Sequence, residues 1–353
     1  MNVHGYAAQS ATENLAPFNF ERRVPRADDV TIKILYCGVC HSDLHTARND
    51  WGNSQYPVVP GHEIIGEVES VGLDDTRFAV GDTVGVGCMV DSCQHCEACK
   101  HDLENYCENG STLTYNGVDR QDGTSTYGGY SEKIVVSEKF TLKIPQGINL
   151  KAAAPLLCAG ITTWSPLRHW KIGKGSNVAV IGLGGLGHMA LKLAKALEAN
   201  VTLFTHSPEK EADARRLGAD KIVISTDAAQ MKSARGEFDL IIDTVPCDHD
   251  INPYMSTLSL NGTLVLVGFL GKFESLLNTV PLIVGRKSVA GSVIGGIAET
   301  QEMLDFCGEH GIVSDIEMIN IQDINEAYER MLKSDVKYRF VIDMASLSRR
   351  HSE

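Results

Sequence analysis

The chain has 353 residues, enough for about two domains, with 43% hydrophobic residues and a formal net charge of −13. That charge argues against a nucleic-acid partner, because phosphate binding needs basic surface. No apolar run approaches the ~18 residues that span a bilayer, and Met1 to Tyr6 shows no basic region ahead of an apolar one. A soluble cytoplasmic protein with no signal peptide and no membrane partner is expected. Ten cysteines in such a chain point to reduced thiols and metal rather than disulfides.

Residues 29–36 alternate as a β-strand does and run into Cys37-Gly38-Val39-Cys40-His41-Ser42-Asp43-Leu44-His45. That turn is either a site or a pair of buried cysteines with a polar loop behind. Next, residues 56–68 form a turn leading into a strand. His62 and Glu63 stand where polar chain meets apolar strand, with Gly61 and Gly66 on either side. Short strands with frequent Gly and Pro predict a small, partly open β-barrel-like domain. From it projects a lobe, residues 91–108, holding Cys93, Cys96, Cys99 and Cys107 in the pattern C-x2-C-x2-C-x7-C. Four thiolates at that spacing suit a closed, structural zinc site. A disulfide cluster is the plainer alternative, and an iron–sulfur cluster the metal one; x2 spacing makes poor disulfides and the long last gap does not fit ferredoxin runs.

Residues 128–136 read as one more strand, and Ile144-Pro145 marks a boundary. Residues 152–167 read as one apolar helix carrying Cys158 and Thr162. Residues 177–181, Asn-Val-Ala-Val-Ile, form a continuous apolar run, as a strand buried on both faces does. The run ends in Gly182-Leu183-Gly184-Gly185-Leu186-Gly187 and a helix. G-x-G-x-x-G between a buried strand and a helix is a dinucleotide-binding turn. Strands and helices then alternate to residue 288, which predicts a doubly wound Rossmann domain. The expected class is α/β, with a β-barrel-like domain carrying the zinc lobe over residues 1–149 and 289–353 and a dinucleotide-binding domain over 150–288. The tail from 299 to 331 reads as mostly helical, and 338–342 as a strand rejoining the first domain.

The second strand of the nucleotide domain ends Leu203-Phe204, followed by Thr205-His206-Ser207-Pro208-Glu209-Lys210. An NAD enzyme places Asp or Glu there to hold the ribose 2′-hydroxyl. Thr205 takes the acid's place, and Thr205, His206, Ser207 and Lys210 can accept a 2′-phosphate. NADP(H) is therefore the expected cofactor; a generic polar turn is the alternative.

The Gly61-His62-Glu63-x2-Gly66 turn, the four-cysteine lobe and the glycine turn occur in an order that resembles the zinc-containing medium-chain alcohol dehydrogenases. Residues 40–45, 154–162, 291–295 and 336–343 look like the cinnamyl alcohol dehydrogenase branch, and bacterial NADPH-dependent aldehyde reductases most of all. The resemblance implies a GroES-like catalytic domain and a second, catalytic zinc on Cys40, His62 and Cys158, with Glu63 able to approach the metal. Spacing alone does not establish that site. It implies Asp43 as the group holding His62, Ser42 on the alcohol oxygen and His45 at the surface end of a proton relay. It implies His41 near the pyrophosphate, and Thr162, Thr244, Val267, Gly268, Ser292, Val293 and Arg339 near the nicotinamide or phosphates. It implies a homodimer paired through an edge strand at 288–294. Leu113 stands where the plant enzymes carry an aromatic, which implies a broad pocket; Trp51 is a pocket wall or a half-buried loop aromatic. Cys37, Cys88, Cys247 and Cys307 read as small buried hydrophobes. The expected activity is reversible reduction of aliphatic and aromatic aldehydes to primary alcohols. A polyol or formaldehyde dehydrogenase of the same fold, or a non-enzymatic zinc- and nucleotide-binding module, are the alternatives.

Overall fold

The structure is a computed structural model that describes residues 1–74 and 77–348. The chain divides into two compact units, Met1–Cys158 with Gly295–Glu353, and Ala159–Ile294.

The first unit opens with the hairpin β1 (Asn2–Ala7) and β2 (Ala16–Glu21), then β3 (Asp29–Gly38) and the short helix α1 (His41–Ala47). β4 (Ile64–Val71), β5 (Thr83–Val86), β6 (Met89–Asp91), α2 (Glu97–Lys100), β7 (Thr112–Leu113), β8 (Lys133–Ser137), β9 (Leu142–Lys143) and α3 (Leu150–Ala153) follow. β3 is central: it pairs antiparallel with β4 and with β8, and Val30, Ile32 and Ile34 on it are buried. Its register slips against β4 between Thr31 and Ile32 and again between Ile34 and Tyr36. Bulges of this kind bend a sheet, and here they curl it towards the expected barrel-like shape.

The second unit begins with α4 (Ala159–His169) and alternates β10 (Asn177–Ile181), α5 (Gly185–Ala196), β11 (Asn200–Thr205), α6 (Glu211–Leu217), β12 (Lys221–Ile224), α7 (Ala228–Ser233), β13 (Phe238–Asp243), α8 (Asn252–Met255), β14 (Leu258–Leu266), α9 (Val280–Gly285) and β15 (Ser288–Gly291). The sheet order is β12-β11-β10-β13-β14-β15, and every pairing is parallel. This is the dinucleotide-binding order, in which the strand sequence reverses beside β10. Val178, Ala179 and Val180 are fully buried, as a strand covered on both faces requires.

The chain then returns to the first unit as α10 (Ile297–His310), β16 (Ile316–Asn320), α11 (Ile324–Leu332) and β17 (Arg339–Asp343). β17 joins antiparallel to β3 and parallel to β16, which is an edge strand. α11 buries Ile324, Ala327, Tyr328 and Met331, one stripe at helical spacing.

Two expectations shift. The unit boundaries lie at 158/159 and 294/295, not at 149/150 and 288/289. Ala154, Leu156 and Leu157 are buried against β3, β4 and β5, which keeps residues 150–157 with the first unit. Ser288–Gly291 stays with the second because it is hydrogen-bonded to β14. The helix expected over 152–167 is broken: α3 gives way to a 3-10 turn, Ala154–Leu157, with Pro155 at its start, before α4 begins. The tail is mostly helical, as expected, with β16 set between α10 and α11 where it pairs with β17.

Gly182 has φ +90, and a Cβ on Gly187 would sit 2.1 Å from the Gly182 carbonyl oxygen. Strand β10 and helix α5 therefore meet backbone to backbone. Gly187→Ala is expected to cost about 1–3 kcal/mol, the usual range for overpacking. Equilibrium denaturation measures it, and an unchanged midpoint would show that the contact relaxes freely.

Candidate metal centre and nucleotide turn

The ligand atoms of Cys40, His62, Glu63 and Cys158 lie within 4.8 Å of one another, and all four residues are buried. Each comes from a different local device. Cys40 is the N-cap of α1: its sulfur accepts from the Ser42 amide at 3.5 Å, and the Asp43 carboxylate accepts from the Cys40 amide at 2.8 Å. That is a capping box with a thiol in the capping position. His62 and Glu63 stand on the turn before β4, after Gly61 with φ +105. A Cβ on Gly61 would come within 2.8 Å of Cys37 Sγ, the Gly129 amide and the Tyr130 ring. Cys158 occupies the break between the 3-10 turn and α4, with φ −128 and ψ −68. The helix break thus aims a ligand that a continuous helix would not.

The Cys40 and Cys158 sulfurs are 3.8 Å apart, far from a disulfide, and all ten cysteines are free. His62 Nε2 and both Glu63 oxygens are buried without a hydrogen-bond partner. Burial pushes the Glu63 carboxyl up to about 8, although the Arg339 guanidinium opposes the shift. Two thiols, an imidazole nitrogen without a partner and a carboxylate form a soft, electron-rich donor set in a dry pocket. A zinc ion fits it, with three strong ligands and a position to spare.

The second donor set is Cys93, Cys96, Cys99 and Cys107, again within 4.8 Å. Backbone amides are aimed at its sulfurs: Cys96 N to Cys93 Sγ at 3.3 Å, Cys93 N to Cys107 Sγ at 3.4 Å and Glu108 N to Cys96 Sγ at 3.4 Å. Amides donating to sulfur stabilise thiolates, and four of them close a tetrahedron with no open position. The nearest sulfur pair described, Cys93 and Cys99, is 4.0 Å apart, so the disulfide alternative falls. Glu104, inside the last loop of this lobe, accepts from the Ile297 amide at 3.1 Å and so caps α10, whose own N-cap is Gly296.

Around the first set, α1 carries His41, Ser42 and His45. Burial pushes the His41 pKa down. His45 Nδ1 lies 2.7 Å from Asp50 Oδ2, and its ring is 5.3 Å from that of Trp51. Leu113 is 46% exposed.

The glycine turn lies between β10 and α5. Leu183 is buried, Gly184 is the N-cap of α5 with nothing within 4 Å of a Cβ, and Gly185, Leu186 and Gly187 begin the helix. Open space at Gly184 is what lets a pyrophosphate reach the amides. Thr244 Oγ1 donates to the Ile181 carbonyl at 2.7 Å, so this residue braces the turn. The Gly268 position is tight: a Cβ would lie 2.4 Å from Thr244 O, and Val267 N donates to Asp243 O at 3.1 Å. Thr205 ends β11 with its hydroxyl oxygen accepting from Ser207 N at 3.1 Å; His206 is exposed, and Ser207 and Lys210 are half-buried. Thr162 is buried in α4, Ser292 N donates to Leu266 O at 3.2 Å, and Val293 is exposed just past β15.

Arg339 is buried in the first unit, with Nη2 2.9 Å from Glu63 Oε1. The pair is close in distance but lacks the alignment of a hydrogen bond, since both atoms count as unpartnered; the charge attraction is the part that distance supports. Asp43 does not hold the His62 ring by a hydrogen bond. Its oxygens accept from the amides of Cys40 and Gly61 and from the Tyr130 hydroxyl, and it acts on the imidazole through charge. Sequence reading also missed Cys88, whose thiol neighbours Cys158 and His62, and Asp50 behind His45. Asp50, five residues on from His45, carried a signal in its nearness; Cys88, distant from Cys158 in the chain, carried none.

Two family models match the chain: the alcohol dehydrogenase GroES-like domain over residues 26–146 and the zinc-binding dehydrogenase over 185–309. Aldehyde reductase YahK of Escherichia coli is 52% identical over 99% of this chain and 100% of its own length. A cinnamyl alcohol dehydrogenase from Sorghum bicolor is 48% identical, with a TM-score of 0.95 and 100% of both chains covered. The cinnamyl alcohol dehydrogenase of Helicobacter pylori, solved with NADP(H), is 41% identical with a TM-score of 0.91, covering 98% of this chain and 99% of that one. With its two donor sets and its glycine turn in this order, the chain belongs to the zinc-containing medium-chain alcohol dehydrogenases, in their cinnamyl alcohol dehydrogenase branch.

Proposed function

We infer that this protein is a zinc alcohol dehydrogenase that reduces aldehydes to primary alcohols with NADPH, reversibly, and accepts aliphatic and aromatic aldehydes. The observation that carries the reading is the buried Cys40, His62, Glu63 and Cys158 set with a position to spare, in one chain with a glycine turn that lacks the acid of an NAD enzyme. Retention of that ligand set counts against a non-enzymatic module. The polar turn 205–210 counts against an NAD-linked polyol or formaldehyde dehydrogenase.

Zinc held by Cys40, His62 and Cys158 would supply a Lewis acid for the carbonyl oxygen, and bound NADPH would supply the hydride. The chain's own residues do the rest. Ser42 and His45 are three apart on α1 and so share a face. In the tautomer that donates Nδ1–H to Asp50, Nε2 of His45 is the atom left to exchange a proton with the Ser42 side and with solvent. Glu63, without hydrogen bonds and tethered only by charge to Arg339, can turn towards the metal position when a ligand leaves. His41, with burial favouring its neutral form, acts as a polar donor to phosphate. Thr162, Val267, Gly268, Ser292 and Val293 line the nicotinamide end, and Thr205, His206, Ser207 and Lys210 take the 2′-phosphate.

The assembly we favour is a homodimer. β15 is the edge of its sheet, and Leu276, Ile283 and Val284 nearby are 91%, 79% and 81% exposed. An open strand edge beside exposed apolar side chains is an aggregation hazard that two-fold pairing removes. Among the described residues no helix is long and apolar enough to cross a membrane; with ten free cysteines, the cytoplasm is the compartment we favour.

Metal analysis of the purified protein is expected to find two zincs per chain, one for each donor set; a single zinc, or iron, contradicts the assignment. Cys158→Ser should abolish activity and leave the fold intact, whereas Cys99→Ser should lower thermal stability, because structural zinc contributes folding energy directly. Sedimentation should show twice the 38.4 kDa chain mass; a monomer alone would rule out the dimer. Steady-state kinetics should favour NADPH over NADH by at least about tenfold in kcat/KM, ~1.4 kcal/mol. Thr205→Asp should erase that preference by charge repulsion, and Lys210→Ala should weaken NADPH while sparing NADH. Equal kcat/KM for both cofactors would refute the 2′-phosphate site.

A further inference from the structure

We propose that Tyr130 is a positioning residue of the catalytic metal centre, acting through the buried carboxylate of Asp43. The proposal rests on the reading of Cys40, His62 and Cys158 as the catalytic zinc ligands.

Tyr130 and Asp43 are both fully buried, and the Tyr130 hydroxyl donates to Asp43 Oδ2 at 3.0 Å. The same oxygen accepts from the Cys40 amide, and Oδ1 accepts from the Gly61 amide at 3.1 Å. One carboxylate therefore holds the backbone of two ligands, Cys40 itself and the residue before His62. These ligands come from separate segments, joined here through a single side chain. A buried carboxylate keeps its orientation only while donors saturate its oxygens. Tyr130 supplies a donor from outside both ligand loops, beside the Tyr115 hydroxyl, which also bonds Asp43.

The backbone around Tyr130 carries the other half of the device. Gly128 N donates to Val59 O at 2.7 Å, Gly129 N to Gly61 O at 2.8 Å and Tyr130 N to Pro60 O at 3.0 Å. Residues 128–130 thus zip along the approach to His62, and the Tyr130 ring reaches from there to the Cys40 cap. Tyr328 on α11 donates in turn to the Tyr130 oxygen at 3.5 Å, which helps to aim the hydroxyl at Asp43. Loss of the hydroxyl alone leaves the zipped backbone in place. It leaves the carboxylate one donor short, held by the Cys40 and Gly61 amides and the Tyr115 hydroxyl, and so loosens its hold on the ligand loops. Groups that orient metal ligands at one remove change metal affinity by about 10–100-fold when lost.

Tyr130→Phe tests this, read as zinc transferred to a chromophoric chelator over time, with activity as a second readout. The proposal expects one zinc equivalent to leave about tenfold or more faster than in the unmodified protein, and the other at the unmodified rate. Unchanged release of both, or equal acceleration of both, overturns it. Asp43→Asn reads the same link from its other end and serves if Tyr130→Phe does not fold; selective acceleration supports the proposal and unchanged release overturns it. In the Asp43→Asn background, Tyr130→Phe should add nothing, and an additive acceleration overturns the route through Asp43. An unmodified protein holding one zinc would overturn the catalytic-zinc reading and this proposal with it. Two zincs with unaltered release in Tyr130→Phe would overturn the Tyr130 link alone.

Discussion

A buried cluster of electron donors needs a cation. Cys40, His62, Glu63 and Cys158 crowd their ligand atoms within 4.8 Å, and His62 Nε2 and the Glu63 oxygens have no hydrogen bonds there. Bare, such an arrangement forfeits solvation and gains nothing in return. Arg339 offsets part of the charge through Glu63. The rest of the first unit can be understood as what it takes to keep these four side chains in register. The bulged β3 ends at α1, the Gly61 turn presses on Cys37 and Tyr130, and Pro155 breaks the helix before Cys158.

The four-cysteine lobe meets the same electrostatic demand by a different route. Its ligands are local, its amides point at sulfur, and its site is closed, so it has no free position for chemistry. Its reach extends further through Glu104, whose carboxylate caps a helix of 14 residues that has only glycine as its own N-cap. A carboxylate at a helix N-terminus meets free amides and the positive end of the dipole. Folding of the lobe around metal is thereby coupled to the start of α10, the element that brings the chain back from the nucleotide unit.

In the second unit the governing constraint is close backbone approach. Gly187 lies against the Gly182 carbonyl, Gly268 against the Thr244 carbonyl, and the Thr244 hydroxyl braces the turn between them. Gly184 is the opposite case, with open space where a side chain would stand. Two glycines are present so that protein can pack, and one so that a phosphate can approach.

Sequence by itself determined the features that are local or periodic. C-x2-C-x2-C-x7-C reads as a zinc lobe because its ligands are close enough for spacing to matter. Residues 177–187 read as a buried strand, glycine turn and helix because burial and turn chemistry leave short-range marks. The absent acid at Thr205 is also local, so cofactor choice was legible. Tertiary structure decided what distant segments do together. The Cys40, His62 and Cys158 set spans more than a hundred residues, and resemblance rather than spacing anticipated it. Arg339 stands against Glu63 because β17 pairs with β3 and carries it there. Asp43 was expected to hold an imidazole and instead ties two backbone loops with Tyr130, a residue 87 positions away. β16 exists as a strand because β17 pairs with it. Each of these depends on a partner that the neighbouring residues do not specify, which is why no window of sequence contains it.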